Sequence, residues 1–177
     1  DIFAVSYYHR HAVWRHILRL SPFAAIGIIF GTYFLGKVND SQLRVIIGAV
    51  VLILLAINWW RNRNGDLPIP TGWWFPAIMG LLAGIVTMMA NAAGPIMMIY
   101  LLAMRLPKDA FIGTGAWYFM LLNLYKVPFS AGIGLINPGS IQINLLLAPV
   151  IILGALIGIH VAKRIPEKTF NHVVQWL

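Results

Sequence analysis

An apolar stretch with a break in its middle constrains this chain more than any other feature. Residues 80–100 read GLLAGIVTMMANAAGPIMMIY and contain no charged side chain. Such a run predicts a membrane segment, yet Asn91, Gly94 and Pro95 interrupt it with residues that end or kink helices. A passive anchor gains nothing from a break at that depth, so we expect the interruption to have a function.

The composition assigns the whole chain to the membrane class. Of its 177 residues, 60% are hydrophobic and only 10% are charged, whereas soluble domains carry about 25% charged residues. All five acidic residues lie in or beside connecting segments, so no carboxylate is expected inside a span. The formal charge of +8 is scattered over short loops, which favours membrane orientation and attraction of anions over nucleic-acid binding.

Metal and thiol chemistry have little support in the sequence. There is no cysteine, and His9, His11 and His16 have no acid or thiol near them to complete a metal site. We expect these histidines to contact lipid head groups from a basic juxtamembrane loop at residues 9–19. No nucleotide-binding or catalytic motif is present, so the sequence predicts neither a cofactor nor a catalytic residue.

Apolar spans alternate with short polar loops along the chain. Residues 1–8 are typical of the tail of a span, and further spans are predicted at 20–36, 43–60, 72–104, 110–136 and 141–162. The segment 72–104 is unusual because a single helix of that size would be about 50 Å long, against a hydrocarbon core of about 30 Å. Two shorter arms separated by a break would fit the bilayer better.

The Lys and Arg residues of the loops distinguish two topologies. If every span crosses once, the two sides of the membrane carry seven and five basic residues, which is no bias. If 72–104 is a re-entrant hairpin that enters and leaves on the same side, the counts become ten and two. The second distribution agrees with the positive-inside rule. We therefore predict a hairpin with its tip at residues 91–95; a tilted, broken single span is the alternative.

The sequence also repeats itself with a shift of 127 residues. The shift places Pro22 on Pro149, Gly27 on Gly154, Gly31 on Gly158, Lys37 on Arg164, Asp40 on Glu167 and Leu43 on Phe170. The alternative is a chance match of small packing residues, since such spacings are common in membrane helices. With a re-entrant hairpin each unit crosses an odd number of times, so the two units are inverted relative to each other.

The predicted fold is therefore an all-α polytopic membrane protein built from two inverted repeats with broken helices. Residues 1–62 would form the C-terminal part of a truncated first repeat, 63–71 a connecting loop, and 72–177 the second repeat with a short last helix. The counterpart of 72–127 would precede residue 1, which makes the chain a fragment of a longer protein. Six glycines are predicted to pack helices closely: Gly27, Gly31, Gly80, Gly84, Gly154 and Gly158.

The break itself is the first candidate binding site. A helix that starts near Pro95 would present free backbone N–H groups and the positive end of its dipole, which together attract anions. Asn91, Ala93, Gly94 and Pro95 are the residues predicted to hold the anion there. The alternative is a proline kink that only shapes helix packing.

A cation inside a later span is the second candidate. Lys126 is the one charge well within a hydrophobic stretch, where burial is costly and such residues usually serve function. Asn123 and Ser130 share its helix face by their spacing of three and four, and Thr114 near the start of the span is a weaker candidate. The alternative is that Lys126 reaches back to an interface.

Several motifs of the chain resemble the sulfite exporter TauE/SafE family of prokaryotic membrane transporters. The resemblance covers essentially the whole sequence and is sharpest in ANAAGP (90–95), LPK (106–108), TGAW (114–117) and NLYKVP (123–128). It implies export of sulfite, sulfonates or related small oxoanions through two repeats of about four helical elements. The chain departs from the family by lacking the glycine-rich opening of the first repeat.

These observations together predict a multi-pass transporter of the prokaryotic inner membrane that moves a small sulfur-containing anion. An anion channel of the same architecture and a non-transporting structural subunit are the alternatives. An intramembrane enzyme is disfavoured, because no nucleophile and base are paired within the spans. The expected partners are the anion and the lipid bilayer. The sequence leaves open a coupling ion such as H+, for which no intramembrane acid is seen, and a homo-oligomer.

Overall fold

The computed structural model describes residues 1–35 and 72–166 together with single positions between and beyond them: 37, 39, 41, 42, 44, 45, 48, 49, 52, 56, 59, 169 and 170. No strand occurs in this described part of the chain. Its continuous helices are α1 (Ile2–Tyr8), α2 (Trp14–Leu35), α3 (Trp74–Ala90), α4 (Gly94–Ala103), α5 (Lys108–Gly132) and α6 (Pro138–Arg164). The predicted all-α class is confirmed.

The chain divides into two compact units, one of which draws on both ends of the sequence. One unit contains Asp1–Val13 and Pro107–Leu177, and the other contains Trp14–Leu106. We call them the α5 unit and the hairpin unit. The predicted division into repeats at residues 62 and 72 stays a prediction, as does the repeat itself, and the predicted span 43–60 and loop 61–71 lie outside the continuously described ranges.

In the hairpin unit, α2 and α3 pack in parallel through glycines. An added Cβ at Gly80 would lie 2.6 Å from the carbonyl oxygen of Leu20, and one at Gly84 would overlap the carbonyl oxygen of Ala24. Further along both helices, an added Cβ at Gly31 would lie 2.8 Å from that of Met88. Residue numbers increase along both helices from one contact to the next, so α2 and α3 run in the same direction. At these contacts the two main chains lie close together, as they do where small residues line membrane-helix interfaces.

The interrupted stretch folds back on itself as two helices. The rings of Phe75, at the start of α3, and Tyr100, near the end of α4, stack with their centroids 5.5 Å apart. A straight helix would separate these residues by about 37 Å. Residues 91–93 are therefore the turn of a helical hairpin, as the excess length predicts, and the two outer ends of the hairpin lie together.

The base of this hairpin is also attached to α2. The Nδ1 atom of His16 lies 2.9 Å from the hydroxyl oxygen of Tyr100, which is almost fully buried. This contact corrects the sequence-based interpretation of residues 9–19 as a loop that touches lipid head groups. The helix α2 already begins at Trp14, so His16 faces a protein partner one turn into the helix.

In the α5 unit, α1 and α5 run in opposite directions. The carbonyl oxygen of Tyr8, at the end of α1, would lie 2.7 Å from an added Cβ at Gly113, near the start of α5. The first residue of the chain instead contacts Asn123, far along α5. The helix α6 is antiparallel to α5, because Lys108 donates a hydrogen bond of 2.7 Å from Nζ to the carbonyl oxygen of Ile165.

Basic residues gather at one end of each unit. In the hairpin unit, the contact between His16 and Tyr100 brings the start of α2, with Arg15 and Arg19, to the end where α4 is followed by Arg105. In the α5 unit, the basic end is formed by the loop after α1, the start of α5 and the end of α6, with the residues Arg10, Lys108, Lys163 and Arg164. If the hairpin returns to its basic end, the loops on the two sides of the membrane carry ten and two Lys or Arg residues, as calculated from the sequence.

Two helices of the described chain have the length and apolar composition needed to cross a membrane. They are Trp14–Leu35 and Pro138–Arg164, while Trp74–Ala90 and Gly94–Ala103 are shorter apolar helices. The predicted spans 20–36 and 141–162 therefore begin earlier than the sequence indicates. The helix α5, over the predicted span 110–136, is not one of these two, so that span stays a prediction. In α6 an added Cβ at Gly154 or Gly158 meets no described atom within 4 Å, so the packing role of these two glycines stays a prediction.

Candidate functional site

The turn of the hairpin is made by Asn91 in a left-handed conformation. Its φ and ψ are 55° and 31°, and its N–H donates to the carbonyl oxygen of Thr87 at 3.0 Å, which closes the last turn of α3. Asparagine is one of the few residues that adopts this conformation readily, because its short polar side chain can bond locally. The amide predicted to bind the anion therefore also has a structural reason to be at this position.

The start of α4 has the features of an anion site. Ala93 precedes the helix and offers no side-chain cap, and Pro95 occupies the first turn, where its missing N–H costs nothing. The first turn of a helix leaves backbone N–H groups without partners inside the helix, at the positive end of its dipole. An added Cβ at Gly94 would meet no described atom within 4 Å, so there is space beside this turn.

The methionines around the break form its apolar surroundings. Met88, Met89 and Met97 are buried, as are Ala93 and Ile96. Asn91 and Gly94 at the tip are themselves exposed, and these buried apolar side chains lie directly behind them. The sequence pattern of a break in an apolar run located this turn, while the binding of an anion there stays a prediction.

Lys126 lies on the more buried side of α5, as its spacing predicts. Asn123 and Lys126 are partly buried and Ser130 is buried, while Leu124 and Val127 between them are exposed. The three polar residues thus form one stripe along the helix. At a rise of about 1.5 Å per residue, Lys126 lies about 27 Å from the start of α5 and about 9 Å from its end.

Thr114 has the contacts of a structural residue. It is fully buried, and its Oγ1 accepts a hydrogen bond of 2.9 Å from the backbone N–H of Val13. The threonine thereby satisfies a donor in the turn between α1 and α2, next to the close approach at Gly113. Sequence reasoning missed Gly113. This glycine lies against the main chain of Tyr8 and Ala12, about 100 residues earlier, and no local sequence pattern indicates such a contact.

The carboxylate of Asp1 lies beside the polar stripe of α5. Asn123 donates a hydrogen bond of 2.7 Å from Nδ2 to Oδ2 of Asp1. Asn123 is about 22 Å from the start of α5 and about 13 Å from its end. Asp1 itself is exposed and precedes α1, so the expectation that no carboxylate lies inside a span stays a prediction.

The predicted site residues fall into two groups. Asn91, Ala93, Gly94 and Pro95 form the tip of the hairpin unit, whereas Thr114, Asn123 and Lys126 belong to the α5 unit. That both groups bind one anion stays a prediction. In the described part of the chain, no group of three or more His, Asp or Glu side chains has the arrangement of a metal site.

The fold and the charge distribution define a class: an all-α membrane protein with a broken helical hairpin, the kind of architecture that transporters use. Comparison with known families gives the particular one. The sulfite exporter TauE/SafE family matches residues 1–177, the full length of the sequence, and the chain belongs to this family. Its members are membrane transporters rather than enzymes, so the chain is a membrane transporter.

A relative points to the same class. The chain is 28% identical, over 173 residues, to a protein of Comamonas testosteroni named "Probable inner membrane transporter protein TsaS". This alignment covers 93% of the chain and 69% of the relative. No solved structure matches the chain.

Proposed function

We propose that this transporter exports a small sulfur-containing oxoanion, such as sulfite or a sulfonate, across a prokaryotic inner membrane. The family description names sulfite, and the relative from Comamonas is named as an inner membrane transporter. The observation that carries the proposal is the uncapped start of α4 at the tip of the hairpin, which is open beside Gly94. Backbone N–H groups in this arrangement are suited to the oxygens of a small anion.

Two kinds of group bind the anion in this proposal. The hairpin tip, residues 91–95, supplies N–H donors and the dipole of α4. Lys126 supplies a positive charge and Asn123 an amide, at a depth where water competes weakly. Transport follows from alternating exposure of the anion to the two sides of the membrane, as in other proteins built with broken helices.

The direct test is the flux of radiolabelled sulfite in liposomes that contain the full-length protein. We expect saturable uptake that sulfoacetate or thiosulfate reduces, because a binding site saturates while a simple leak does not. Sulfate serves as a larger tetrahedral competitor. Absence of flux with every one of these anions would contradict the proposal, and currents that scale as open-pore conduction would show an anion channel instead.

Whether the tip and the cation act on the same anion is tested by a double-mutant cycle. Gly94→Ala and Lys126→Arg, which keeps the charge and is expected to keep measurable transport, are measured singly and together for kcat/KM of sulfite transport. If both contact one anion, the combined loss differs from the sum of the single losses by about 0.5–3 kcal/mol. Additive losses would indicate that the two groups act at separate steps or on separate anions.

A further inference from the structure

The basic end of the α5 unit holds a lysine against a tyrosine ring. The Nζ atom of Lys163, in the last turn of α6, lies 4.0 Å from the centroid of the ring of Tyr7, near the end of α1. A ring in this position attracts the ammonium group and holds the long side chain in place. An ammonium group carries three N–H donors, and the ring covers only one side of it, so donors remain for a further partner.

Three more cations lie at the same end of the unit in the described part of the chain. Arg10 is exposed in the turn after α1, and Arg164 is exposed as the last residue of α6. Lys108 is the first residue of α5, and Asp109 beside it is the described acid at this end. With Lys163, four described cations face one described acid, so the surface is positive and attracts anions.

An apolar helix face leads away from these cations. The helix α6 has the length and composition to cross a membrane, and its last turn carries Lys163 and Arg164. Ile157 and Val161 precede Arg164 by seven and three positions, which places them on its side of the helix, and they are 61% and 49% exposed. A molecule that matches both surfaces has an anionic head and apolar tails. A phospholipid has this form, whereas a small inorganic anion matches only the cations.

We propose that the basic end of the α5 unit binds the head group of an anionic phospholipid, with the acyl chains along the exposed face of α6. Oxygens of the lipid phosphate accept hydrogen bonds from Lys163 and Arg164, and Arg10 adds charge from the turn after α1. Tyrosines such as Tyr7 are usual at the level of lipid head groups, and basic clusters at helix ends recognise anionic lipids. This lipid site does not depend on which anion the protein transports.

Cations in the last turn of a helix also stabilise the helix itself, through its dipole. Lys108 already satisfies an acceptor just beyond α6, because its Nζ donates to the carbonyl oxygen of Ile165 at 2.7 Å. If Lys163 served only the helix, its replacement would lower the unfolding temperature and leave the preference between lipids unchanged. A comparison of two lipids with the same acyl chains therefore separates lipid binding from a structural role.

A second lysine–tyrosine pair in the chain provides a matched control. The Nζ atom of Lys37 lies 4.0 Å from the centroid of the ring of Tyr33, the same distance as between Lys163 and Tyr7. This pair lies beyond the end of α2, whereas the basic residues of the hairpin unit lie at its start. Lys37→Gln thus removes the same group from the same kind of ring contact, away from a basic end.

The test measures lipid binding to the purified full-length protein in detergent by native mass spectrometry. Phosphatidylglycerol is the anionic probe, and phosphatidylcholine with the same acyl chains is the zwitterionic comparison. We expect the Kd for phosphatidylglycerol to rise about fivefold in Lys163→Gln and to stay unchanged in Lys37→Gln. Lys163→Arg keeps the charge and is expected to keep the affinity. Glycerol 1-phosphate, a soluble phosphate without acyl chains, is expected not to displace the lipid.

Several outcomes would overturn the lipid site. Equal affinity of the unaltered protein for the two lipids would do so, as would an unchanged Kd in Lys163→Gln. An equal rise of the Kd in Lys37→Gln would show a general attraction to surface charge, and displacement by glycerol 1-phosphate would show a site for a small phosphate instead. If Lys163→Gln does not fold, Arg10→Gln takes its place with the same expected rise, and an unchanged Kd in that variant contradicts the proposal.

Discussion

At the scale of single residues, the hairpin depends on a few side chains that each meet a local requirement. Asn91 adopts the left-handed conformation that ends α3, and Pro95 fits the first turn of α4. Between them, Gly94 keeps the start of the helix open. The same three residues that break the apolar run thus build its turn, and two of the predictions below concern residues that line the proposed anion sites.

The first prediction concerns the cation on α5. We expect Lys126→Ala to abolish sulfite efflux while the protein still inserts into the membrane, because the variant removes the charge that attracts the anion within a low-dielectric region. Efflux from cells loaded with labelled sulfite, together with the amount of protein in membranes, measures both effects. Lys37→Ala removes a cation that contacts Tyr33 near the end of α2 and serves as the control. Normal efflux by Lys126→Ala would refute the role of the cation.

The second prediction concerns the opening at the hairpin tip. Gly94→Ala places a methyl group where the structure has space and needs no unusual backbone conformation, so folding is retained. We expect KM for the anion to rise by roughly fivefold, the equivalent of about 1 kcal/mol for a weakened hydrogen bond. Gly132→Ala, where an added Cβ also meets no described atom, is the matched control. Equal KM values for the two variants would argue against an anion at the tip.

At the scale of elements, the hairpin is held by a parallel helix and by contacts at its base. The packing of α2 on α3 brings main chain against main chain at Gly27 and Gly84. The rings of Phe75 and Tyr100 close the outer end, and His16 attaches that end to α2. The tip is thus held at one end of a rigid base, which is what a site on a broken helix needs in order to keep its geometry.

The third prediction tests this packing. Gly84→Ala adds a Cβ against the carbonyl group of Ala24, and main-chain atoms cannot rotate away as a flexible side chain would. We expect a loss of about 1–3 kcal/mol in stability, the usual cost of overpacking. Thermal unfolding of the purified protein in detergent measures it, with Gly132→Ala as the control. If both variants unfold at the same temperature, the close approach of α2 and α3 does not contribute to stability.

At the scale of the whole molecule, the central prediction is that the hairpin returns to the side of the membrane from which it starts. This topology predicts on which side of the membrane each loop lies. The prediction includes the loop 61–71, which lies outside the described residues. Because the chain contains no cysteine, single cysteines can be introduced without removing any. The fold can therefore be examined in intact cells.

The fourth prediction uses such cysteines at Asn64, Pro107 and Gly139. With a re-entrant hairpin, the cysteines at positions 64 and 107 lie on the cytoplasmic side and the one at 139 on the opposite side. A thiol reagent that does not cross the inner membrane should label position 139 in intact cells, and positions 64 and 107 only after permeabilisation. A single crossing by residues 72–104 predicts opposite labelling of positions 64 and 107, and that result would exclude the hairpin.

Much of this organisation was readable from the sequence by itself. Apolar length, the break at residues 91–95 and the loop charges determined an all-α membrane protein with a broken stretch that folds back. These features are local or one-dimensional, because a bilayer fixes the length of a span and the sign of its flanking charges. The helical face that holds Asn123 and Lys126 followed from spacing alone, and the motifs of the chain indicated its family.

Only the tertiary structure decided which distant residues meet. The pairing of Asp1 with Asn123, of His16 with Tyr100, and of Thr114 with the turn at Val13 joins positions that are far apart in sequence. No local pattern encodes these contacts, since each depends on how helices are placed against one another. This is why these three contacts could not be found from the sequence.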